Sequence, residues 1–277
     1  MRDTRKDTDI YRLSSSVDES TRVAMASRLE FRATDPGYMQ IANWYFDKLQ
    51  LSPGQQVISI GCGTGVEVRA LGRLTRGSVD ILGVDQSQAL IEFARNKTAA
   101  EGFSSRIQYA LGDAHGLNYP DETFDVAILH TLVSHVDDPA MVLSEAKRIV
   151  RHGGTVAIFD GDYASITFDY ADDEIEASIE RALMRTLIAN PRVMREMPRL
   201  LKGAGLEMSD ARAWVYANIG TGAFWSNVPD AYGSVLKRSG LLEDDVIESW
   251  AAYQKQAAGE NIFFGASNYY TYLCRRP

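Results

Sequence analysis

Three closely spaced glycines follow a short apolar run that is rich in β-branched residues. In "VISIGCGTGVEV" these are Gly61, Gly63 and Gly65. A glycine-rich turn between a strand and a helix lets a ligand lie against the backbone and exposes N–H groups at the helix start. The same turn also fits close packing of the helix on the strand. The pattern therefore indicates either a nucleotide-like ligand or tight packing.

Two aspartates stand where later strands are expected to end. Asp85 closes "ILGVDQS", and Asp113 follows the next apolar run in "LGDA". A carboxylate at the first position can accept both hydroxyls of a ribose, and one at the second can accept an adenine amine while the Ala114 N–H donates to a ring nitrogen. An isolated Asp after a strand is more often a cap or turn residue. The ordered set of three strand ends instead favours one nucleoside site at the carboxyl edge of a parallel sheet.

The glycine spacing distinguishes among nucleotide cofactors. A dinucleotide fingerprint, G-x-G-x-x-G, would place its third glycine where Val66 stands. The sequence also lacks G-x-x-x-x-G-K-[ST] and the Y-x-x-x-K of short-chain dehydrogenases. A nicotinamide-dependent oxidoreductase is therefore disfavoured, although Asp85 would suit the ribose of that cofactor too.

Composition limits the classes of partner. The 277 residues are 45% hydrophobic and 24% charged, and 29 Lys+Arg against 37 Asp+Glu give a net charge of −8, which disfavours nucleic-acid binding. "MRDTRKDTDIYRL" lacks a secretory signal, and no segment reaches the ~18 apolar residues of a membrane span, so we expect a cytoplasmic protein without a membrane partner. Cys62 and Cys274 are far apart, which predicts reduced thiols and no metal site.

Apolar runs alternate with helical segments from Val57 onward, which predicts an α/β fold with a parallel sheet covered on both faces. The Asp138-Pro139 pair is suited to capping and opening a helix. Amphipathic helices are expected over 17–32 and in "GYMQIANWYFDKLQL", before the sheet. The later segments predict two more helices and two strands, in the order "ADDEIEASIERALMRTLIAN", "MPRLLKGAGLE", "ARAWVYANI" and "ASNYYTYLCRRP".

Four motifs resemble, in order and spacing, the class I S-adenosylmethionine-dependent methyltransferases, most closely the ubiquinone/menaquinone C-methyltransferase-like group. They are "VISIGCGTG", "GVDQS", "GDAHGLNYPDETFDVAILHTLVSHVDDP" and "GGTVAI". The resemblance implies a doubly wound, Rossmann-like sheet of seven mostly parallel strands whose last strand is antiparallel. With it we expect an N-terminal helical extension over 1–45 and a methyltransferase domain over 46–277, with helical cap insertions at about 161–195 and 221–261.

The resemblance also assigns cofactor contacts for S-adenosylmethionine and its product S-adenosylhomocysteine. Contacts to the methionine part fall on Gly61, Cys62 and Gly63, to the ribose on Asp85, and to the adenine on Gln86, Asp113 and Ala114. The family's acidic residue two positions before the first glycine is replaced here by Ser59. A serine hydroxyl can hold a bridging water but supplies no charge, so either the cofactor binds less tightly or another carboxylate substitutes.

Methyl transfer from a sulfonium is an in-line displacement that depends on positioning, and a base is needed only if the acceptor must lose a proton. His130 ends the fourth strand and could be that base, or it could line the methionine pocket. Tyr163, after the fifth strand, could orient an acceptor hydroxyl, as could Asp162. His135 is expected to hydrogen-bond locally.

The insertions carry many aromatic residues, which either line an apolar pocket for a small molecule or form the core of the cap. They are Tyr163, Phe168, Tyr170, Phe224, Trp225, Phe263 and Phe264. The sequence thus predicts methyl transfer to carbon or oxygen of a small, largely apolar or aromatic metabolite, such as a quinone precursor or natural product. The absence of [DN]-P-P-[YF] disfavours methylation of nucleic-acid amines.

Two alternatives remain open at this level. Ser59 keeps a non-catalytic cofactor-binding or partner-binding protein in consideration, and Asp85 keeps the oxidoreductase. The N-terminal helices either fold over their own cleft as a lid or form a homodimer with a second subunit.

Overall fold

The computed structural model describes residues 9–102, 105–225 and 228–277. In that part of the chain, seven strands form one sheet in the order β3-β2-β1-β4-β5-β7-β6. The strands are β1 (Gln56–Ile60), β2 (Asp80–Asp85), β3 (Ile107–Leu111), β4 (Phe124–His130), β5 (Val150–Phe168), β6 (Glu207–Gly220) and β7 (Phe263–Arg275). Strands β1 to β5 are parallel, and β7 is antiparallel to both β5 and β6. The predicted sheet, including its antiparallel last strand, is confirmed.

Helices cover both faces of this sheet. They are α1 (Glu19–Arg32), α2 (Pro36–Leu49), α3 (Val66–Leu74), α4 (Gln88–Ala100), α5 (Pro139–Ile149), α6 (Asp173–Thr186), α7 (Val193–Ala204), α8 (Val228–Ser239) and α9 (Asp244–Gly259). Alternate residues of the central strands join two separate apolar clusters: Ile128 belongs to one and Leu129 to the other. Because both faces are buried, the strands read as continuous apolar runs.

The start of α5 shows how local sequence fixes an element. The Asp138 carboxylate accepts a hydrogen bond from the Met141 N–H, and Pro139 occupies the first turn. Proline is tolerated there because its missing N–H would have no partner within the helix. The predicted N-terminal cap of α5 is confirmed, and it sets where this helix begins after β4.

Strand β5 is longer than the sequence predicts. Residues 161–168 were expected to leave the sheet as the start of a cap insertion, but they continue the strand. Thr167 pairs with Ala266 and Phe168 with Gly265 after an irregularity that begins at Asp162. The long strand β7 provides the partner for this extension, a long-range pairing that local periodicity does not reveal. Residues 152–154, which include two glycines, also lie within β5.

The cap residues that follow pack mainly against one another. Phe168, Phe224, Trp225, Trp250 and Phe263 are all nearly inaccessible to solvent and belong to one apolar cluster. Rings of Phe168 and Trp225 meet edge to face at 5.5 Å, as do those of Phe168 and Trp250 at 5.6 Å. These aromatic residues form the core of the cap, the simpler of the two roles that the sequence allowed.

Candidate active site

A cavity of about 310 Å³ lies at the carboxyl ends of β1, β2, β3 and β4. All the predicted cofactor-binding residues except Ser59 line it: Gly61, Cys62, Gly63, Asp85, Gln86, Asp113, Ala114 and His130. The predicted convergence of three strand ends is therefore present in the structure. Tyr163, the second candidate for catalysis, is outside the residues that line this cavity.

The glycine loop has a backbone that other residues rarely adopt. Gly61, Gly63 and Gly65 have φ angles of +72°, +51° and +72°, in the left-handed region that glycine enters without strain. A Cβ atom at Gly65 would overlap the side chain of Tyr109, and one at Gly61 would overlap Leu132. Close packing thus explains part of the motif, while Gly61 and Gly63 also form the cavity wall.

Asp85 is held rigidly beneath the loop. The backbone N–H groups of Gly63 and Ser87 each donate to one of its carboxylate oxygens at 2.9 Å. Asp85 is 9% exposed, and burial raises the pKa of its carboxyl. The backbone hydrogen bonds lower this pKa but do not outweigh the effect of burial. Each carboxylate oxygen can accept a second hydrogen bond, so Asp85 retains the capacity to bind two hydroxyls.

Asp113 is paired with the histidine two residues after it. Its carboxylate accepts from the backbone N–H of His115 at 2.9 Å and lies 2.7 Å from that residue's Nδ1. The Asp138 N–H donates to Nε2 of the same ring. The proton of a neutral His115 therefore belongs on Nδ1, an assignment from the hydrogen-bond network. His115 also lines the cavity beside Ala114.

A carboxylate eight residues further along lies beside Ser59, the position at which the family's acidic residue is missing. The Ser59 hydroxyl donates to Oε1 of Glu67, in the first turn of α3, at 2.7 Å. Glu67 is 5% exposed and lines the cavity. Burial raises its pKa to about 7, against the hydrogen bond from Ser59. In the described ranges no cation pairs with Glu67, so this buried carboxyl is available to a positively charged ligand group.

Thr64 adds an unused donor to the same wall. The residue is buried and lines the cavity, and its Oγ1 has no hydrogen-bond partner among the described residues. Buried polar atoms are normally satisfied. The orphaned hydroxyl, the buried Glu67 and the fixed Asp85 together fit a polar ligand with several hydrogen-bonding groups.

His130 is held between two tyrosines of α2. Its Nδ1 lies 2.7 Å from the Tyr45 hydroxyl and its Nε2 lies 3.1 Å from the Tyr38 hydroxyl. Burial, with a smaller effect from the charge of Arg32, lowers the pKa of the imidazole to about 3. A group with that pKa is a weak proton acceptor at neutral pH, and both ring nitrogens are already engaged. This geometry favours positioning over proton transfer.

The polar residues after Phe159 have structural partners. Asp160 accepts from the backbone N–H groups of Ser134 and Gly161, and Asp162 pairs with Arg195 at 2.7 Å. Arg195 thus pairs with a fully buried carboxylate. The Tyr163 ring instead lies against His135, with centroids 6.0 Å apart.

The N-terminal strap, residues 9–16, covers one side of the cavity, and Tyr11 to Ser16 line it. Asp9 is 0% exposed and accepts hydrogen bonds from His135 Nδ1 at 2.9 Å and the Ala189 N–H at 3.0 Å. The Gln86 amide, expected beside an adenine ring, donates to the Arg12 carbonyl oxygen at 2.8 Å. The strap is therefore tied to three separate parts of the domain.

His135 is charged more readily than a free histidine because of this contact. Burial opposes its charge, but the Asp9 carboxylate and its hydrogen bond outweigh that effect and raise the pKa of the ring. The local hydrogen-bonding role expected for His135 is thus a long-range one, to a residue 126 positions away. Sequence spacing carries no signal for such a pair.

Among the described residues, no group of three or more His, Cys, Asp or Glu side chains is arranged to hold a metal ion. Across those same residues, no helix has the length and apolar character needed to cross a membrane.

Comparisons with known proteins agree with this geometry. Residues 58–158 match a family described as a methyltransferase domain. The methyltransferase GfsG of Streptomyces halstedii is 30% identical over 163 residues, which cover 59% of this chain and 56% of the relative. The ubiquinone/menaquinone biosynthesis C-methyltransferase UbiE of Geobacter sulfurreducens is 30% identical over 112 residues, 40% of this chain and 44% of the relative. The chain spans about half the length of these curated relatives.

A solved structure extends the likeness to most of the fold. Geranyl diphosphate C-methyltransferase from Streptomyces coelicolor A3(2), in complex with Mg²⁺, geranyl-S-thiolodiphosphate and S-adenosyl-L-homocysteine, superposes with a TM-score of 0.54 at 16% identity. The match covers 87% of this chain and 76% of that chain.

The sheet has the fold of the class I methyltransferases, and residues 58–158 match a methyltransferase domain. The sequence is similar to members of the UbiE group, as its motifs predicted. This assignment favours the methyltransferase prediction over the oxidoreductase alternative.

Proposed function

We propose that this chain binds S-adenosylmethionine in the cavity and transfers its methyl group to carbon or oxygen of a small, largely apolar or aromatic metabolite. The observation that carries the proposal is the convergence of Gly61 to Gly63, Asp85, Asp113 and His130 on one cavity. The similarity to UbiE, which is named for ubiquinone/menaquinone biosynthesis, supports a quinone-precursor-like acceptor, and GfsG is likewise named as a methyltransferase.

The residues of the cavity divide the cofactor among them. Asp85 binds the ribose hydroxyls, and the Asp113–Ala114 turn with Gln86 surrounds the adenine. Gly61, Cys62 and Gly63 contact the methionine part. Glu67 supplies the negative charge for the amino group, which Ser59 lacks and helps to orient through its hydroxyl. This substitution removes the main reason for considering a non-catalytic binding protein.

Catalysis in this proposal depends on positioning and on exclusion of water. When bound, the cofactor supplies an activated methyl group on a sulfonium. His130, clamped by Tyr38 and Tyr45, forms a fixed neutral wall at the end of β4. Holding the reactants aligned can recover roughly 7–11 kcal/mol of the barrier in favourable cases. The acceptor's own acidity then decides whether a base is needed.

We propose that the N-terminal strap is a lid of its own subunit. Its ties to Gln86, His135 and Ala189 all lie within one chain. Helix α1 is likewise anchored internally, since Glu30 accepts from Arg69 at 2.8 Å. These contacts support the intramolecular lid over a homodimer formed through the N-terminal helices.

The first test measures binding of S-adenosylhomocysteine by calorimetry to the wild type, Asp85→Ala and Asp80→Ala. Asp80 begins the same strand at its opposite end and pairs with Arg106 at 3.0 Å, so it is a matched control. We expect Asp85→Ala to lose about 3 kcal/mol, roughly 150-fold in affinity, from two hydrogen bonds to a charged acceptor. Asp80→Ala should bind as the wild type does. Absence of binding by the wild type, or equal binding by all three proteins, would refute the proposal.

A further inference from the structure

Arg32 is a buried cation without a carboxylate partner in the described part of the chain. It ends α1, is 9% exposed and lines the cavity. Its guanidinium donates to the Tyr38 hydroxyl at 2.7 Å, and its central carbon lies 4.7 Å from the centre of the Tyr38 ring. A buried charge is costly unless an opposite charge compensates it.

Other arginines of the protein show how this cost is usually met. Arg69 is similarly buried and pairs with Glu30 and Glu101. Arg28 lies one turn before Arg32 on α1, and it donates to the Phe224 carbonyl oxygen at 2.8 Å. Arg28 is not among the cavity-lining residues. Arg32 therefore differs from both in presenting an uncompensated charge to the cavity.

Three tyrosine hydroxyls share the electrostatic surroundings of Arg32. They belong to Tyr11 of the strap, Tyr163 of β5 and Tyr269 of β7. Burial raises the pKa of all three phenols, and the Arg32 charge opposes that rise, so each is a neutral donor. Within the described residues, none of these hydroxyls has a hydrogen-bond partner.

Ring contacts connect these tyrosines to the site. Tyr269 lies 5.6 Å from Tyr38, centroid to centroid, while Tyr11 and Tyr163 lie 5.0 Å and 6.0 Å from His135. A guanidinium with phenol hydroxyls offers hydrogen-bond donors to an oxyanion. Of these residues, Tyr11, Arg32 and Tyr38 line the cavity, and they are contributed by the strap, α1 and α2, whereas the residues proposed to bind the nucleoside follow β1, β2 and β3.

We propose that Arg32, which lines the cavity together with Tyr11, binds a carboxylate or similar oxyanion of a molecule that occupies the cavity. The inference rests on the proposed function, in which two molecules carry that chemistry to this end of the cavity. One is the amino-acid carboxylate of the cofactor, and the other is an acidic group on the methyl acceptor. Arg32 then acts as a binding residue that receives its counter-charge from the ligand.

The first experiment compares S-adenosylhomocysteine with its decarboxylated analogue by calorimetry, using the wild type, Arg32→Met, Arg32→Lys and Arg28→Met. If the cofactor supplies the carboxylate, the wild type prefers S-adenosylhomocysteine by about tenfold or more, the worth of one charge-assisted hydrogen bond. Arg32→Met loses that preference, Arg32→Lys keeps part of it, and Arg28→Met keeps all of it.

The second experiment adds benzoate, or benzamide as its neutral counterpart, to the same proteins with and without saturating S-adenosylhomocysteine. If the acceptor supplies the anion, benzoate raises the melting temperature of the wild type and Arg28→Met more than benzamide does, and Arg32→Met shows no such difference. If Arg32→Met matches the wild type in both experiments, the inference is overturned. Failure of the wild type to bind S-adenosylhomocysteine would instead refute the proposed function, while benzoate binding by the free protein still tests Arg32.

Thermal unfolding of the ligand-free proteins separates binding from a structural role. Because the Arg32 charge lacks a carboxylate partner, we expect Arg32→Met to melt at the same temperature as the wild type or higher. A drop larger than that of Arg28→Met would show that Arg32 serves folding, and would count against the inference.

Discussion

Replacing Asp9 by alanine should release the N-terminal strap from the cavity. The Asp9 carboxylate is 0% exposed, and it connects the strap to His135 and to the backbone of Ala189. Both of these partners are more than a hundred residues away in sequence, so their loss affects docking of the strap directly. The rest of the domain keeps its own contacts.

The expected magnitude follows from those two bonds. Hydrogen bonds to a charged group contribute about 1.5–3 kcal/mol each, and breaking a buried ion pair from one side costs about 3–5 kcal/mol. His135 can lose its proton in the variant, which reduces the penalty, so we take the lower limit of about 3 kcal/mol. This corresponds to a roughly 150-fold larger population of the open strap.

Hydrogen exchange of residues 10–16 measures that population. We expect Asp9→Ala to lower protection of these amides by about a hundredfold, and to speed dissociation of S-adenosylhomocysteine. Asp18→Ala is the control, since Asp18 caps α1 by accepting from the Thr21 N–H and takes no part in holding the strap. Protection in Asp9→Ala within about threefold of the wild type would show that the buried pair does not secure the strap.

Three more expectations concern titrating groups. Because the pKa of His135 is raised above its usual 6.5, its pairing with Asp9 stabilises the docked strap fully below pH 6.5 and is lost as pH rises through the higher folded value. Protection of residues 10–16, taken as exchange relative to the intrinsic rate at each pH, should therefore fall in that alkaline direction in the wild type but not in Asp9→Ala. The pKa of His130 is shifted in the opposite direction, to about 3. From pH 6.5 to pH 5 the wild type should therefore lose about 2 kcal/mol of unfolding free energy relative to His130→Asn, with both values measured by urea denaturation. Unfolding free energies that change with pH in parallel in the two proteins would refute the assignment. Because Glu67 has a pKa of about 7, S-adenosylhomocysteine should bind about tenfold more weakly at pH 6 than at pH 8. Calorimetry of Glu67→Gln should show no such dependence of affinity on pH. If the dependence persists in the variant, it arises from another group.

The sequence predicted which residues after β1, β2 and β3 line the cavity because their determinants are local. Gly61, Gly63 and Asp85 stand directly after strands that are recognisable as apolar runs, and parallel strands bring their ends together. The cap at Asp138 is similarly a matter of adjacent residues. In each case the residue and the element that positions it lie within a few positions of one another.

The missed residues depend on contacts between distant segments. Glu67 was unremarkable in sequence because its role requires that its side chain reach back to Ser59 from the first turn of α3. Arg32 and Asp9 lie in segments whose place over the cavity is set by tertiary packing. The same holds for residues 161–168, which stay in the sheet because β7 is long enough to pair with them.

The extension of β5 has a consequence for which parts of the protein can move. Through Phe168 the strand remains paired with β7, so the first residues of the 161–195 segment belong to the central sheet. A segment held by strand pairing opens far less often than one held by a few polar contacts, as the strap is. We expect the strap, rather than residues 161–168, to move when a molecule enters or leaves the cavity.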